Sequence, residues 1–249
     1  MLVKTGVVKS RVLKTSVAAM LALTAWSAQA DYQCAVQPKE DVVIKPQTVQ
    51  IVGTSSDLLI TPNGNVTLNG KEITLSAKQR QEAIDYQASL RRDLPWIDQG
   101  ATAHLEKGRV AVDRVIVEKL GSDSNVRNRL VTLDKQLKQQ MNLIIEHRTD
   151  GLTFHHKAVD QVKQNGQKLM EQTMGGVMQD SINEMGLKQA ASGGNPLQAM
   201  MGNLGGLQQA VQDEWSKQEK EFKAFGDDVC KRVTALDTQR KTLLADLKQ

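Results

Sequence analysis

The chain has 249 residues, with 32 Lys and Arg against 28 Asp and Glu and only 3% aromatic residues. The four excess cations, Lys4, Lys9, Arg11 and Lys14, all stand in the first thirty residues, which hold no acid, so the remaining roughly 220 residues are balanced in charge. A balanced chain with so few rings offers neither the clustered positive face that phosphate binding needs nor platforms for stacking bases or sugars, so no nucleic-acid partner is expected.

In chain order, the positive start leads into an apolar run from Ser16 to Ala28, closed by Ala28-Gln29-Ala30. This small-x-small ending is what signal peptidase accepts, so residues 1–30 read as a secretory signal peptide cleaved after Ala30. Cys34 follows Asp31-Tyr32-Gln33, where a lipoprotein signal requires small residues, so no lipid anchor is expected. No later stretch reaches the roughly 18 apolar residues of a membrane helix.

Residues 34–75 read as strands. "TVQIV" (48–52), "DLLIT" (57–61), "NVTL" (65–68) and "EITL" (72–75) alternate apolar and polar positions. Pro62-Asn63-Gly64-Asn65 and Asn69-Gly70 fall between them, and Asn-Gly between alternating runs marks a hairpin because both residues tolerate positive φ. A small antiparallel meander with one apolar side needs a cover.

Ser76-Ala77-Lys78-Gln79 fits a capping box. The following helix is expected to stop at Leu94, because Pro95 disfavours helix in the residue before it. Trp96 then serves as a large group pinning the turn. A second helix is expected over 97–120. A third, over 124–148, carries the stripe Val126, Leu130, Leu133, Leu137, Met141 and Ile144. After Asp150-Gly151 a fourth is expected from Thr153 to Ala191, stopped by Ser192-Gly193-Gly194. Asn195-Pro196 opens another in the preferred way, Asn as cap and Pro first in the helix. Trp215, Phe222, Val229, Leu236 and Leu243 then recur every seven residues, the spacing of a seam against another long helix.

The expected fold class is therefore α+β. A small N-terminal antiparallel β-meander (31–76) is covered by helices, and long amphipathic helices (77–249) follow in a bundle or coiled-coil-like arrangement, forming one domain with the sheet.

Cys34 and Cys230 are the two cysteines. An even count in an exported chain suggests a bridge, here tying the last helix to the first strand. By the loop-entropy account so large a ring contributes about 5 kcal/mol. Two free thiols, or a zinc pair with histidine, are the alternatives.

The chain resembles the YggN-like family, periplasmic proteins of Gram-negative bacteria grouped as a domain of unknown function. Ala30-Asp31-Tyr32-Gln33-Cys34, "TPNGNVTLNGK" (61–71), "LPWIDQG" (94–100), "DGLTFHHKAVDQV" (150–162), "MGGVMQDSINEMG" (174–186), "SGGNPLQ" (192–198) and "LGGLQ" (204–208) carry the resemblance. It implies a periplasmic address. It implies no activity, substrate or catalytic residue.

The motifs of serine hydrolases, zinc peptidases, P-loops and dinucleotide folds are absent from the sequence, and no catalytic residue or cofactor is assigned. His155 and His156 are adjacent, and neighbouring helical residues point about 100° apart, which disfavours a shared metal. They read as polar residues of an interhelical turn.

"MEQTMGGVMQDSINEMG" (170–186) concentrates methionine and glycine. On a helix, Met170, Met174, Met178 and Met185 fall within one wide apolar face beside Val159, Val177 and Ile182. Three readings compete. The face is core, with flexible thioethers filling gaps and Gly175 and Gly176 admitting a close neighbour. Or it is an adaptable docking face, extended by Met200 and Met201, for another envelope protein or an apolar ligand. Or Met170, Met174 and Met178 hold a soft ion such as Cu(I). The functional expectation is a non-enzymatic exported protein of the second kind, with the metal reading as alternative and an unrecognised hydrolase behind both.

Overall fold

A computed structural model describes residues 34–54, 56–190 and 196–247. The leader, the Ser192-Gly193-Gly194 stop and the Asn195 cap lie outside them. Five strands come first: β1 (Asp41–Lys45), β2 (Thr48–Val52), β3 (Asp57–Ile60), β4 (Val66–Leu68) and β5 (Lys71–Ile73). They are followed by α1 (Ala77–Leu120), α2 (Asn125–Ile144), β6 (Ile145–Arg148), β7 (Gly151–Phe154), α3 (His156–Ala190) and α4 (Pro196–Asp246).

All seven strands form one antiparallel sheet in the order β5-β4-β3-β2-β1-β7-β6. Its register turns the period-two pattern into two apolar rows. One runs Ile145, Phe154, Val42, Ile51, Leu58, Leu68; the other runs Leu152, Ile44, Val49, Ile60, Val66, Ile73. Val49, Ile60 and Val66 are fully buried, each such side chain contributing about 1.5–3 kcal/mol through removal from water. Asn69 and Gly70 both take positive φ at the β4–β5 turn, as the Asn-Gly pair dictates.

The rows pack beneath the start of α1 and the end of α4, where Ala83, Tyr86, Leu90, Leu94, Leu236 and Leu243 close one core. Ser76 caps α1 through the anticipated box: its Oγ accepts from the Gln79 amide at 3.3 Å, and the Gln79 side chain accepts from the Ser76 amide at 2.9 Å. The two long helices run antiparallel along their length. Gln79 reaches the Asp246 carbonyl, Gln239 reaches Ser89, and Lys107 pairs with Glu221. At the far end Val115, Ile116, Leu120, Val126 and Leu207 make a second core.

Three boundaries differ from the sequence reading. Helix α1 continues through Pro95. Proline removes one backbone hydrogen bond and disfavours helix before it, but both halves of α1 lie against α4, with Asp93 paired to Arg232 just before the proline and Trp96 packed on Phe225 just after it. The expected turn at Trp96 is therefore absent. Helix α2 ends at Ile144, not at 148, and "LTFHH" is strand up to Phe154. Asp150-Gly151 is the turn of a β-hairpin that docks on β1. Gly151, at φ 149°, lies so close to the Ile44 carbonyl that a side chain would overlap it. A four-residue strand embedded between helices is too short for its period to show against them.

Cys34 and Cys230 form a disulfide with Cα atoms 5.4 Å apart. Cys34 precedes β1, so the bridge holds the approach to the sheet on α4, not the first strand itself. The ion pair of Glu40 with Arg240 fastens the same segment a few residues on.

The outer flank of helix α3

Helices α2 and α3 form an antiparallel pair. Gln140 accepts from Asn165 at 3.0 Å, and near the other end Arg129 pairs with Asp180 while Glu184 accepts from the Asn125 amide at 2.6 Å. The stripe on α3 turned to its neighbours is Val162, Leu169, Thr173, Val177 and Ser181, at the three- and four-residue spacing of a packed face. Val177 joins the second core beside Ala210 and Val211 of α4, and Ser181 is fully buried.

Two of the methionines are nevertheless open. At about 100° per residue, Met170 lies about 50° round the helix from the middle of that stripe, between the directions of Val177 and Ser181, and Met178 about 130° from it. They are 41% and 38% exposed, and Val159 is 36% exposed on the same helix. The core reading therefore fails at Met170 and Met178. Met170 points almost as Val177 does but stands two turns nearer the start of α3, because a helical wheel shows which residues share a face but not how far along it the neighbours reach. The side chains of Met174, Met185, Met200 and Met201 lie outside the described residues.

The glycines divide in the same way. A Cβ at Gly176 would strike the Arg129 guanidinium, which crosses there to reach Asp180, whereas nothing stands within 4 Å of one at Gly175. Only Gly176 admits a close neighbour.

On its other flank α3 shares with α2 a groove of about 450 Å³ lined by Asn125, Asn128, Arg129, Thr132, Leu133, Gln136, Gln172, Thr173 and Asp180. Its two charged groups are paired with each other. That bond, against opposing burial, holds the Asp180 carboxyl below its ordinary value. Among the described residues no group of three or more His, Cys, Asp and Glu is arranged to hold a metal ion, and no helix is long and apolar enough to cross a membrane.

The seam between α1 and α4 holds a run of rings that the heptad pattern indicated only in part. Trp215 meets Phe222 at 5.2 Å, Phe222 meets His104 at 5.4 Å, His104 meets Phe225 at 4.6 Å, and Phe225 meets Trp96 at 5.4 Å. Phe222, Leu236 and Leu243 turn toward α1 as the seven-residue spacing requires, but Trp215 at the head of the series is 52% exposed.

His155 and His156 are more than polar turn residues. Both face Asp41, whose carboxylate also receives the His156 backbone N–H at 2.9 Å and so caps α3 from β1. More than a hundred residues separate the partners, so local sequence carries no signal of the contact.

Residues 34–249 match the family described as "Protein of unknown function (DUF2884)". The chain is 57% identical over 236 residues to the protein named "Uncharacterized protein YggN" of Escherichia coli strain K12, an alignment covering 94% of this chain and 99% of that one. The same identity and coverage hold for the proteins of that name in Escherichia coli O6:H1 and O157:H7. No solved structure matches the chain. With a family match across the whole sheet and helical region and relatives aligned over nearly their full length, the chain belongs to the DUF2884, YggN-like family of unknown function.

Proposed function

We propose that this is an exported, periplasmic, non-enzymatic protein whose α3 flank docks an apolar segment of another envelope protein. The observation that carries the reading is the exposure of Met170 and Met178, at 41% and 38%, on a helix whose stripe through Val177 and Ser181 is already engaged. Flexible, polarizable thioethers adapt to differently shaped apolar partners. The address rests on the leader at residues 1–30 and on the family resemblance.

Replacing Met170 and Met178 together by glutamate tests the reading. A docking flank loses its partner in a periplasmic capture experiment while the melting temperature stays within about 2 °C, since exposed substitutions change stability little. A lower melting temperature with an unchanged capture profile overturns it. The alternative, a thioether Cu(I) site at Met170, Met174 and Met178, predicts saturable binding tighter than micromolar under reducing conditions, lost in the same variant.

A further inference from the structure

The joint where the sheet passes into α3 gathers four ionisable side chains from separate elements: Asp41 opens β1, Glu146 lies on β6, His155 follows β7, and His156 opens α3. His155 stands between two carboxylates. Its Nδ1 is 3.4 Å from Asp41 Oδ2 and its Nε2 is 3.1 Å from Glu146 Oε2. His156 Nδ1 is 2.6 Å from the other Asp41 oxygen. Backbone pairing fixes the ring's place, because the His155 N–H donates to the Ile144 carbonyl at 2.8 Å and extends the β6–β7 ladder by one residue.

An ionised carboxylate can only accept, and a neutral imidazole carries a single N–H. A neutral His155 can donate to one neighbour only and turns its lone pair toward the other. An imidazolium donates to both. We infer that this joint is a proton-operated clasp, in which His155 takes up a second proton, bonds Asp41 and Glu146 at once, and fastens the start of α3 to β1 and β6.

The surrounding charges agree with this assignment. Burial pushes the Asp41 carboxyl up, but the His156 backbone N–H and the two imidazoles outweigh it and hold the group below its ordinary value. Glu146 is likewise held low, first by His155 and then by Arg148, which lies 3.3 Å away on the same strand. Both acids are therefore ionised acceptors at any pH above about 4. Elsewhere on the hairpin Lys45 pairs with Asp150 at the turn, and His147 meets Asp98 of α1 at 2.9 Å. The clasp has a bounded range. It needs the second proton on His155, which rising pH removes, and ionised acceptors at Asp41 and Glu146, which only strong acid removes.

The test is amide hydrogen exchange of His156 and Ala158 in the full chain at pH 5.5 and pH 8.0, corrected for the intrinsic chemical rate. The clasp predicts roughly tenfold greater protection at pH 5.5, the effect of one added charge-assisted hydrogen bond. H155Q loses that gain, and H155R keeps high protection at both pH values. Equal protection at the two pH values in the unsubstituted protein, or the full gain retained in H155Q, overturns the inference. Should H155Q fail to fold, the ring nitrogens of the unsubstituted protein decide. Two hydrogen-bonded N–H groups on His155 at pH 5.5 support the clasp, and one overturns it.

Discussion

Asp93 of α1 and Arg232 of α4 form an ion pair in which the carboxylate is almost fully buried and the guanidinium lies 3.9 Å over the Trp96 ring. Asp93 stands two residues before Pro95, which interrupts the hydrogen bonding of α1, and the pair holds the two long helices together there. Replacing Arg232 by methionine leaves the buried charge with only the exposed Arg92 as partner. The expected loss is about 3 kcal/mol, because removing one member of a buried pair strands the other. Thermal unfolding of R232M should fall by roughly 10 °C.

The same pair predicts an acid limb. Asp93 is held below its ordinary value, first by its hydrogen bond to Arg92, against the opposing effect of burial, and then by Arg232. A carboxyl with a lowered folded pKa contributes fully above its unfolded value, near pH 4, and loses that contribution as pH falls through the folded value. D93N should therefore be less stable than the parent at pH 7, with the gap closing below about pH 4. Denaturant titrations at pH 7 and pH 3 check this, and a gap that is constant with pH contradicts it.

Glycine-to-alanine substitutions should act with opposite signs at two helical positions. At Gly175 nothing lies within 4 Å of the new Cβ, so the gain is the helix-propensity difference, about 0.8 kcal/mol. At Gly100 the new Cβ would drive into the Phe225 ring, which Trp96 and His104 hold in place. Overpacking of this kind costs about 2 kcal/mol. Paired urea melts of G175A and G100A measure both.

Ser181 is fully buried, and its hydroxyl has no hydrogen-bond partner among the described residues. Replacing it by alanine removes an unsatisfied polar group at little loss of volume, so S181A should be about 1 kcal/mol more stable. A melting temperature raised by roughly 3 °C is the expected reading.

The meander, its Asn69-Gly70 turn, the Ser76 capping box, the stripe on α2 and the pairing of Cys34 with Cys230 were legible in the sequence because each depends on local chemistry or on simple counting. What was not legible depends on partners distant in the chain. Pro95 stays within a helix because α4 supports both sides of it. The hairpin at 145–154 is strand because β1 offers an edge to pair with. The cap on α3 comes from Asp41, more than a hundred residues away. For the candidate site, the helical spacing of Met170 and Met178 was readable, but their exposure follows from where α2 and α4 lie against α3.

Reduction of the bridge should loosen one corner of the protein and leave the rest folded. Cys34 and Cys230 close a ring of nearly the whole described chain, and removing such a bridge costs about 5 kcal/mol by the loop-entropy account. The Glu40–Arg240 pair still fastens the adjoining segment. The C34S/C230S variant should retain its far-ultraviolet spectrum and melt roughly 10 °C lower. An unchanged melting temperature would show that the bridge adds nothing to the fold.

The most direct test of the docking account places a photoreactive cross-linker at position 178 in one variant and at position 177 in another, in cells exporting the full chain. The account predicts a discrete cross-linked species from the exposed Met178 position, absent when Met170 is replaced by glutamate, and only intramolecular products from the inward Val177 position. The same intramolecular products from both positions, with no adduct specific to 178, would contradict it.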